Sequence, residues 1–370
     1  MIFLLAPNAM KGSLSSQKTA AILAKTLRRR FREAEIISLP VADGGNGTLD
    51  CLMNTLGGTV YEQEVTGAIP SLKANARFGI TNDNVAIIES AEAVGLHLLS
   101  PSPETIAQST SFGIGELLLA AQQHSTKEIW IGLGGTATND GGAGMVRCLG
   151  TSLRDEQGES LRDGSIALLQ LGDISIDTFR QFQIPIKILS DVQNPLLGER
   201  GATYTFARQK GATEEQLPYL EAALKNFSDV VSRTIQKDHS SVPGSGAAGG
   251  LAYGLLSFCN ARIVSGIDTI LDTIGFDEQL KQCDCVITTE GKIDDQTLFG
   301  KGIAGIAERA KKLNKPVHAF VGRIDGDAES LRTSLGLASL TQISPDELTT
   351  EQAIRDASWL LADAVYRHTF

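Results

Sequence analysis

The stretch from residue 131 to 145, IGLGGTATNDGGAGM, carries six glycines behind the apolar, strand-like run EIWI. Bare backbone at the start of a helix offers free N–H groups at the positive end of a dipole, where an anion is the natural occupant. Three further segments share this character: Lys11-Gly12-Ser13-Leu14-Ser15, Ala42-Asp43-Gly44-Gly45-Asn46-Gly47-Thr48, and Pro243-Gly244-Ser245-Gly246-Ala247-Ala248-Gly249-Gly250. With a lysine and several carboxylates at hand, the set suggests a polyphosphate and its metal. The plainer alternative is that these glycines only let helix and sheet pack closely.

Residues 132 to 137, GLGGTA, satisfy the GxGxx[G/A] form of a dinucleotide fingerprint. That fingerprint runs directly into a helix and is followed by an acid at the tip of the next strand. Here Gly141, Gly142 and Gly144 come almost at once, each costing a helix interior about 1 kcal/mol relative to Ala, and only Asp155 and Glu156 follow, in a polar stretch. A nicotinamide-dependent oxidoreductase is therefore the weaker reading. The helix is expected to start at residues 138 to 140, capped by Asn139 or Asp140, and to run through Met145, Val146 and Leu149 to Gly150. The Walker A pattern, the protein-kinase HRD and DFG set and the GxSxG elbow are all absent.

Asp43, Asp191 and Asp294 each follow an apolar run or lie within a few residues of one, and Lys11 follows the first run in the same way. Such positions fall at the carboxyl edge of a sheet, where open α/β sites form. A helix cap is the competing role for any one of these acids.

The elements that must hold these residues alternate in type. IFLLA precedes SSQKTAAILAKTLRRRF, EIISLPVA precedes NGTLDCLMNTL, and CVITT, KGIAGIAERAKKL and PVHAFVG follow near the end. Strand and helix signals in this order predict βαβ units around a parallel sheet. Between residues 58 and 90, closely spaced runs separated by turn residues predict antiparallel strands. At 370 residues, with 42% apolar and 21% charged side chains, the chain can hold two domains. A net charge of −10 argues against a nucleic-acid binder. Arg28-Arg29-Arg30 reads as a solvated helix end complementing the dipole. Five scattered cysteines suggest reduced core thiols in a cytoplasmic protein, and no signal peptide, spanning helix or zinc spacing is visible.

Taken together, the blocks resemble the bacterial type I glycerate kinases. They are APNAMKGSL at residue 6, PVADGGNGT at 40, ESA at 89 with Gly95-Leu96, TSFGIGEL at 110, the stretch from 131, SDVQNPL at 190, QKGA at 209, the 243 to 250 segment and EGKID at 290. The resemblance implies ATP-dependent phosphorylation of D-glycerate, with 2-phosphoglycerate the usual product, and ATP and Mg²⁺ as cofactors. It implies an α/β fold of two domains. One is a Rossmann-like parallel-sheet domain from both chain ends (1–62 and 288–370), the other an inserted α/β domain with a mixed sheet (63–287). No nucleic acid or membrane is expected as partner, and the protein is expected as a monomer or homodimer.

Phosphoryl transfer needs positioning and charge stabilisation. Asp191 or Asp43 is expected as base or metal ligand, and Lys11 as a contact to phosphate or substrate carboxylate. Asp43, Glu290 and Asp294 form the expected metal set. Gly134, Gly135, Thr136, Asn139, Gly141, Gly142, Gly244, Ser245 and Gly246 are expected around the nucleotide, although the 243 to 250 segment could serve glycerate instead. Ser13, Asn194 and Lys292 are expected at the substrate. The chain departs from the family pattern at Asn8 and Asn46, where acids are usual, at Ala9 and Met10, and at Thr289, where glycine is usual. Two acids replaced by amides leave open a drifted paralogue that acts on another hydroxy acid or only binds.

Overall fold

The computed structural model describes residues 1–179, 182–294 and 302–370 and falls into two compact units, 1–55 with 265–370, and 56–264. Among the described residues the strands in the first half of the chain are β1 (Ile2–Leu5), β2 (Glu35–Ser38), β3 (Gly58–Thr66), β4 (Lys73–Thr81), β5 (Val85–Glu89), β6 (Glu128–Gly132) and β7 (Ser152–Asp155). Those in the second half are β8 (Leu171–Ser175), β9 (Phe182–Leu189), β10 (Cys259–Val264), β11 (Cys285–Ile293), β12 (Val317–Ile324) and β13 (Ser339–Gln342).

In the first unit the sheet order is β13-β12-β11-β1-β2, parallel throughout. Its central strands are apolar on both faces, as a parallel sheet covered on both sides requires. Phe3, Leu5, Ile287 and Phe320 are fully buried with Leu23 and Leu27 of the helix Ser16–Arg30 and Leu361 of the helix Thr350–Arg367. Both helices start on side-chain caps, Ser15 Oγ accepting from Lys18 N and Thr349 forming a capping box with Gln352. The chain leaves β1 for β2 on one side, while β11 lies on the other. The sheet therefore has a topological switch point between β1 and β11, the position beyond whose strand ends open α/β sheets bind ligands.

The arginine run does end the first helix, yet Arg30 does more than meet solvent. Its guanidinium donates to the carbonyls of Val365 and His368, tying down the last residues. There His318 Nδ1 lies 2.8 Å from Ser339 Oγ and 3.1 Å from His368 Nε2. The rings of Phe320 and Phe370 pack edge-on or tilted against this pair.

In the second unit the order is β10-β9-β6-β5-β4-β3. The expected antiparallel run is present as β3, β4 and β5, after which β5, β6, β9 and β10 pair in parallel. Phe78, Ile88, Leu118, Ile131, Met145, Ile188 and Phe227 are among its buried core. The hairpin β7–β8 forms a separate small sheet.

The joints fall at 55/56 and 264/265, not at 62/63 and 287/288. β3 pairs with β4 from Gly58 to Thr66, so a cut at 62 would divide one ladder. On the other side, Arg309 of the helix Gly302–Lys312 ion-pairs with Asp268, Asp272 and Asp277 at 2.9, 2.6 and 3.4 Å, which ties residues 266–282 to the first unit. All five cysteines are free thiols, four of them buried. Among the described residues no helix is long and apolar enough to cross a membrane.

Candidate active site

The switch point of the first unit gathers a compact set of polar groups. Beyond β1 the ladder continues, with Ala6 N donating to Ile287 O at 2.8 Å and Asn8 N to Thr289 O at 3.3 Å. The hydroxyls of Thr288 and Thr289 return bonds to the carbonyls of Ala6 and Asn8, at 2.9 and 2.8 Å. Asn8 is thereby fixed, 4% exposed, with its amide nitrogen 3.1 Å from Glu290 Oε2 and 3.4 Å from Asp43 Oδ2. Asp43 uses its other oxygen to accept from Gly45 N at 3.1 Å, in a turn that leads to the helix Thr48–Leu56.

The charge of one carboxylate disfavours a second charge beside it. Burial pushes the Glu290 carboxyl up to about 7 and the Asp43 charge pushes the same way, while Lys11 and the Asn8 amide pull it back. Close backbone approach assembles the rest. A Cβ on Gly291 would stand 3.0 Å from Lys11 N, and one on Gly302 would stand 2.9 Å from Asn8 Nδ2. Gly302 is the first described residue of the helix Gly302–Lys312 and lies beside the acids.

The other residues expected in this unit do not join the set. Asp294 follows β11 four positions after Glu290, roughly 13 Å along an extended strand, too far for both to hold one ion. Among the described residues no group of three or more His, Cys, Asp or Glu is arranged around a metal position. The expected trio of Asp43, Glu290 and Asp294 is thus corrected to the pair Asp43 and Glu290. Two carboxylates do suit Mg²⁺, which takes one or two from the protein and the rest from phosphates and water. Lys292 is exposed and paired with Asp325 at 2.7 Å. Ser13 closes its own turn, its hydroxyl donating to Met10 O at 3.0 Å.

In the second unit the glycine-rich stretch is used differently from expectation. The helix begins at Ala143, after Gly141 and Gly142 in left-handed conformation at φ 65° and 86°. The anion at its start belongs to the protein itself. Asp140, 2% exposed, accepts from Gly142 N at 3.1 Å, Gly144 N at 3.0 Å, Ser111 N at 2.7 Å and Ser111 Oγ at 2.8 Å. Gly141 N donates to Gly249 O at 3.0 Å. The N–H groups of Gly141 and Gly142 are therefore engaged, and a phosphate contact through them is withdrawn; Asn139 is fully buried. Gly135 is exposed and Gly134 half-buried, at the carboxyl edge of β6, whereas Thr136 is buried and bridges to Gly95.

The 243 to 250 segment packs against this turn. Ala248, Gly249 and Gly250 are all left-handed, at φ 56°, 66° and 85°. A Cβ on Gly249 would lie 2.0 Å from Thr138 O, and one on Gly250 would lie 2.8 Å from Gly141 Cα. Gly246 N donates to Asn194 O at 2.9 Å, and a Cβ there would meet Pro195 O at 2.2 Å. Gly244 is buried beside Val192, and Ser245 is buried with its hydroxyl on Ser240 O at 2.9 Å. These glycines serve backbone contact, and the expected nucleotide donors at Gly244, Ser245 and Gly246 face inward. Asn194 donates to Arg200 O at 2.7 Å, pinning its own loop. Asp191, half-buried, stands just past the end of β9, at the same sheet edge as Gly134 and Gly135.

Two residues were not singled out by the sequence. Lys210 is 3% exposed, and its ammonium donates to Thr138 O at 2.7 Å; nothing in QKGA signals a buried cation. Asn8 was noted as a departure, but only the fold places its amide between two acids.

The glycerate kinase family model matches residues 3–369. The chain is 37% identical to a glycerate kinase of Bacillus subtilis (strain 168), covering 97% of this chain and 94% of that protein. It is 37% identical to a glycerate 2-kinase of Escherichia coli (strain K12), covering 96% and 94%. A crystal structure of a Salmonella typhimurium LT2 protein described as a glycerate kinase 2 superposes with a TM-score of 0.78 at 36% identity, covering 99% of this chain and 96% of that one.

Proposed function

The chain belongs to the glycerate kinase family, and on that premise we propose that it transfers the γ-phosphoryl group of ATP to the 2-hydroxyl of D-glycerate, yielding 2-phosphoglycerate and ADP. The observation that carries this reading is the Asn8–Glu290–Asp43 arrangement beside Lys11 at the switch point.

The parts match what the reaction asks of a protein. A carboxyl group poised near neutral pH can take the proton of an attacking hydroxyl without being permanently charged or permanently protonated. Glu290 has that character, and Asp43 keeps it there. Lys11 supplies a cation for the phosphate or the substrate carboxylate. If Asp43 and Glu290 instead hold Mg²⁺, which would offset charge on the phosphates, Glu290 is no longer the proton acceptor. Gly134 and Gly135 remain the exposed backbone for ATP, and Asp191 at the same edge is the alternative proton acceptor. Asn8 need not signal drift: its amide bridges two acids where a third carboxylate would repel them. The protein works as a cytoplasmic monomer or homodimer in this reading.

The test couples ADP release to NADH oxidation with D-glycerate, ATP and Mg²⁺, and runs the product through enolase without a mutase. Glycerate-dependent ADP together with phosphoenolpyruvate supports transfer to the 2-hydroxyl. ADP without phosphoenolpyruvate moves the transfer to the 3-hydroxyl, and no ADP removes the activity.

A further inference from the structure

Lys210 and Asp140 are two buried ionisable groups beside one turn, burial lowering the first against the charge of the second and raising the second, and the reaction above leaves both without a role. An ammonium withdrawn from water costs several kcal/mol unless hydrogen bonds and a counter-charge offset it. Both offsets here come from one short turn: the Thr138 carbonyl accepts from Lys210, and Asp140 supplies the negative charge. The turn itself is poorly satisfied. Thr138 Oγ1 and Asn139 Oδ1 are buried with no hydrogen-bond partner, and Gly141 and Gly142 are left-handed. Asp140 gathers the amides of Ser111, Gly142 and Gly144, Asn139 N donates to Ser109 Oγ and Gly141 N to Gly249 O, and at the Thr138 end the carbonyl is taken by Lys210.

We propose that Lys210 is a positioning residue for the 134–142 loop, its buried ammonium fixing the Thr138–Asp140 turn so that Gly134 and Gly135 are presented at the edge of β6. This rests on the reading that the loop takes part in substrate or nucleotide binding. The link is short, since Thr136, between the exposed glycines and the turn, is tied to Gly95, and Ala137 N donates to Val94 O at 2.8 Å. Asp140 is the charged group facing Lys210. From the helix Leu217–Ile235, Glu221 reaches the same seam through Thr203, which also accepts from Asn139 Nδ2 at 3.3 Å. Arg208 and Glu214 pair with each other at the surface. Burial lowers Lys210 to about 7, with Asp140 opposing, so the clamp is charged in acid solution, half-charged near pH 7 and weakens in base.

The experiment follows amide exchange of peptides covering residues 134–145, corrected for intrinsic rates, and glycerate kinase kinetics from pH 6 to 9. In the wild type, exchange of these amides rises at least tenfold relative to the rest of the unit between pH 6 and 8.5, and kcat/KM, once past the acid limb set by Glu290, falls on the alkaline side. Lys210→Met shows fast exchange and low kcat/KM at every pH, without the transition. A pH-independent loop in the wild type overturns the proposal, even if Lys210→Met does not fold. So does a Lys210→Met protein with normal kcat/KM. If the wild type lacks glycerate-dependent turnover but shows the exchange transition, the assigned reaction fails while the clamp stands.

Discussion

The hydroxyl of Thr289 donates to the carbonyl of Asn8 across 2.8 Å, joining the middle of β11 to the chain just past β1. Both are positions where the chain departs from the pattern its sequence resembles, and the structure makes them neighbours. The bond sets the backbone of Asn8, and the side chain then reaches Glu290. Asn8→Asp would place a third carboxylate beside Asp43 and Glu290 and raise the Glu290 carboxyl further. The acid limb of kcat/KM against pH is expected to move up by about one unit. An unmoved limb would detach Glu290 from it.

Glu290→Gln tests the same acid through two readouts. Turnover should fall by at least about 100-fold if the carboxyl takes the proton. Stability should change in the opposite sense. A carboxyl raised from its ordinary value of 4.5 to about 7 contributes stability that is present below 4.5 and is lost as pH rises through 7. The variant should therefore be more stable than wild type at pH 8, by roughly 2 kcal/mol, with little difference at pH 4. Denaturant melts at both pH values measure this.

The histidine pair beside the final residues gives a prediction of opposite sign. Burial, reinforced by His368, lowers His318 to about 4 from an ordinary 6.5. The folded state thus favours neutral His318, and its stability is full above 6.5 and is lost as pH falls toward 4. The melting temperature should drop across that window, and His318→Gln should flatten the drop. Equal slopes in both proteins would clear His318 of responsibility.

Gly249→Ala should destabilise by about 3 kcal/mol, because the added methyl meets Thr138 O at 2.0 Å on a left-handed backbone. A thermal melt within about 1 °C of wild type would show that the two loops are not held as tightly as their contact implies.

Much of the fold was legible. Alternating apolar runs marked β1, β2, β11 and β12, and turn residues marked β3 to β5, because period and punctuation are local properties. The site was legible in part. Asp43 and Lys11 were named from their places after strands and Glu290 from the family resemblance, and Asn8 lies within hydrogen-bond reach of both Asp43 and Glu290. Asp294 was grouped with them through nearness in sequence, which an extended strand turns into separation. Gly141, Gly142, Gly244 and Gly246 looked like open donors. Whether a glycine is bare toward a ligand or toward another loop depends on contacts distant in sequence, such as Gly141 on Gly249. The role of Asp140 as the anion of its own helix start was invisible for the same reason.

The contact of Gly250 with Gly141 carries a consequence for how such a chain can vary. A Cβ on Gly250 would meet the backbone of Gly141 as well as the Leu196 side chain, and one on Gly249 would meet the Thr138 carbonyl, so no rotamer change alone can absorb a new atom on that side. The two segments are far apart in sequence yet inherit as one part. A lineage that alters one of these turns must find a matching change in the other at the same step, or lose both.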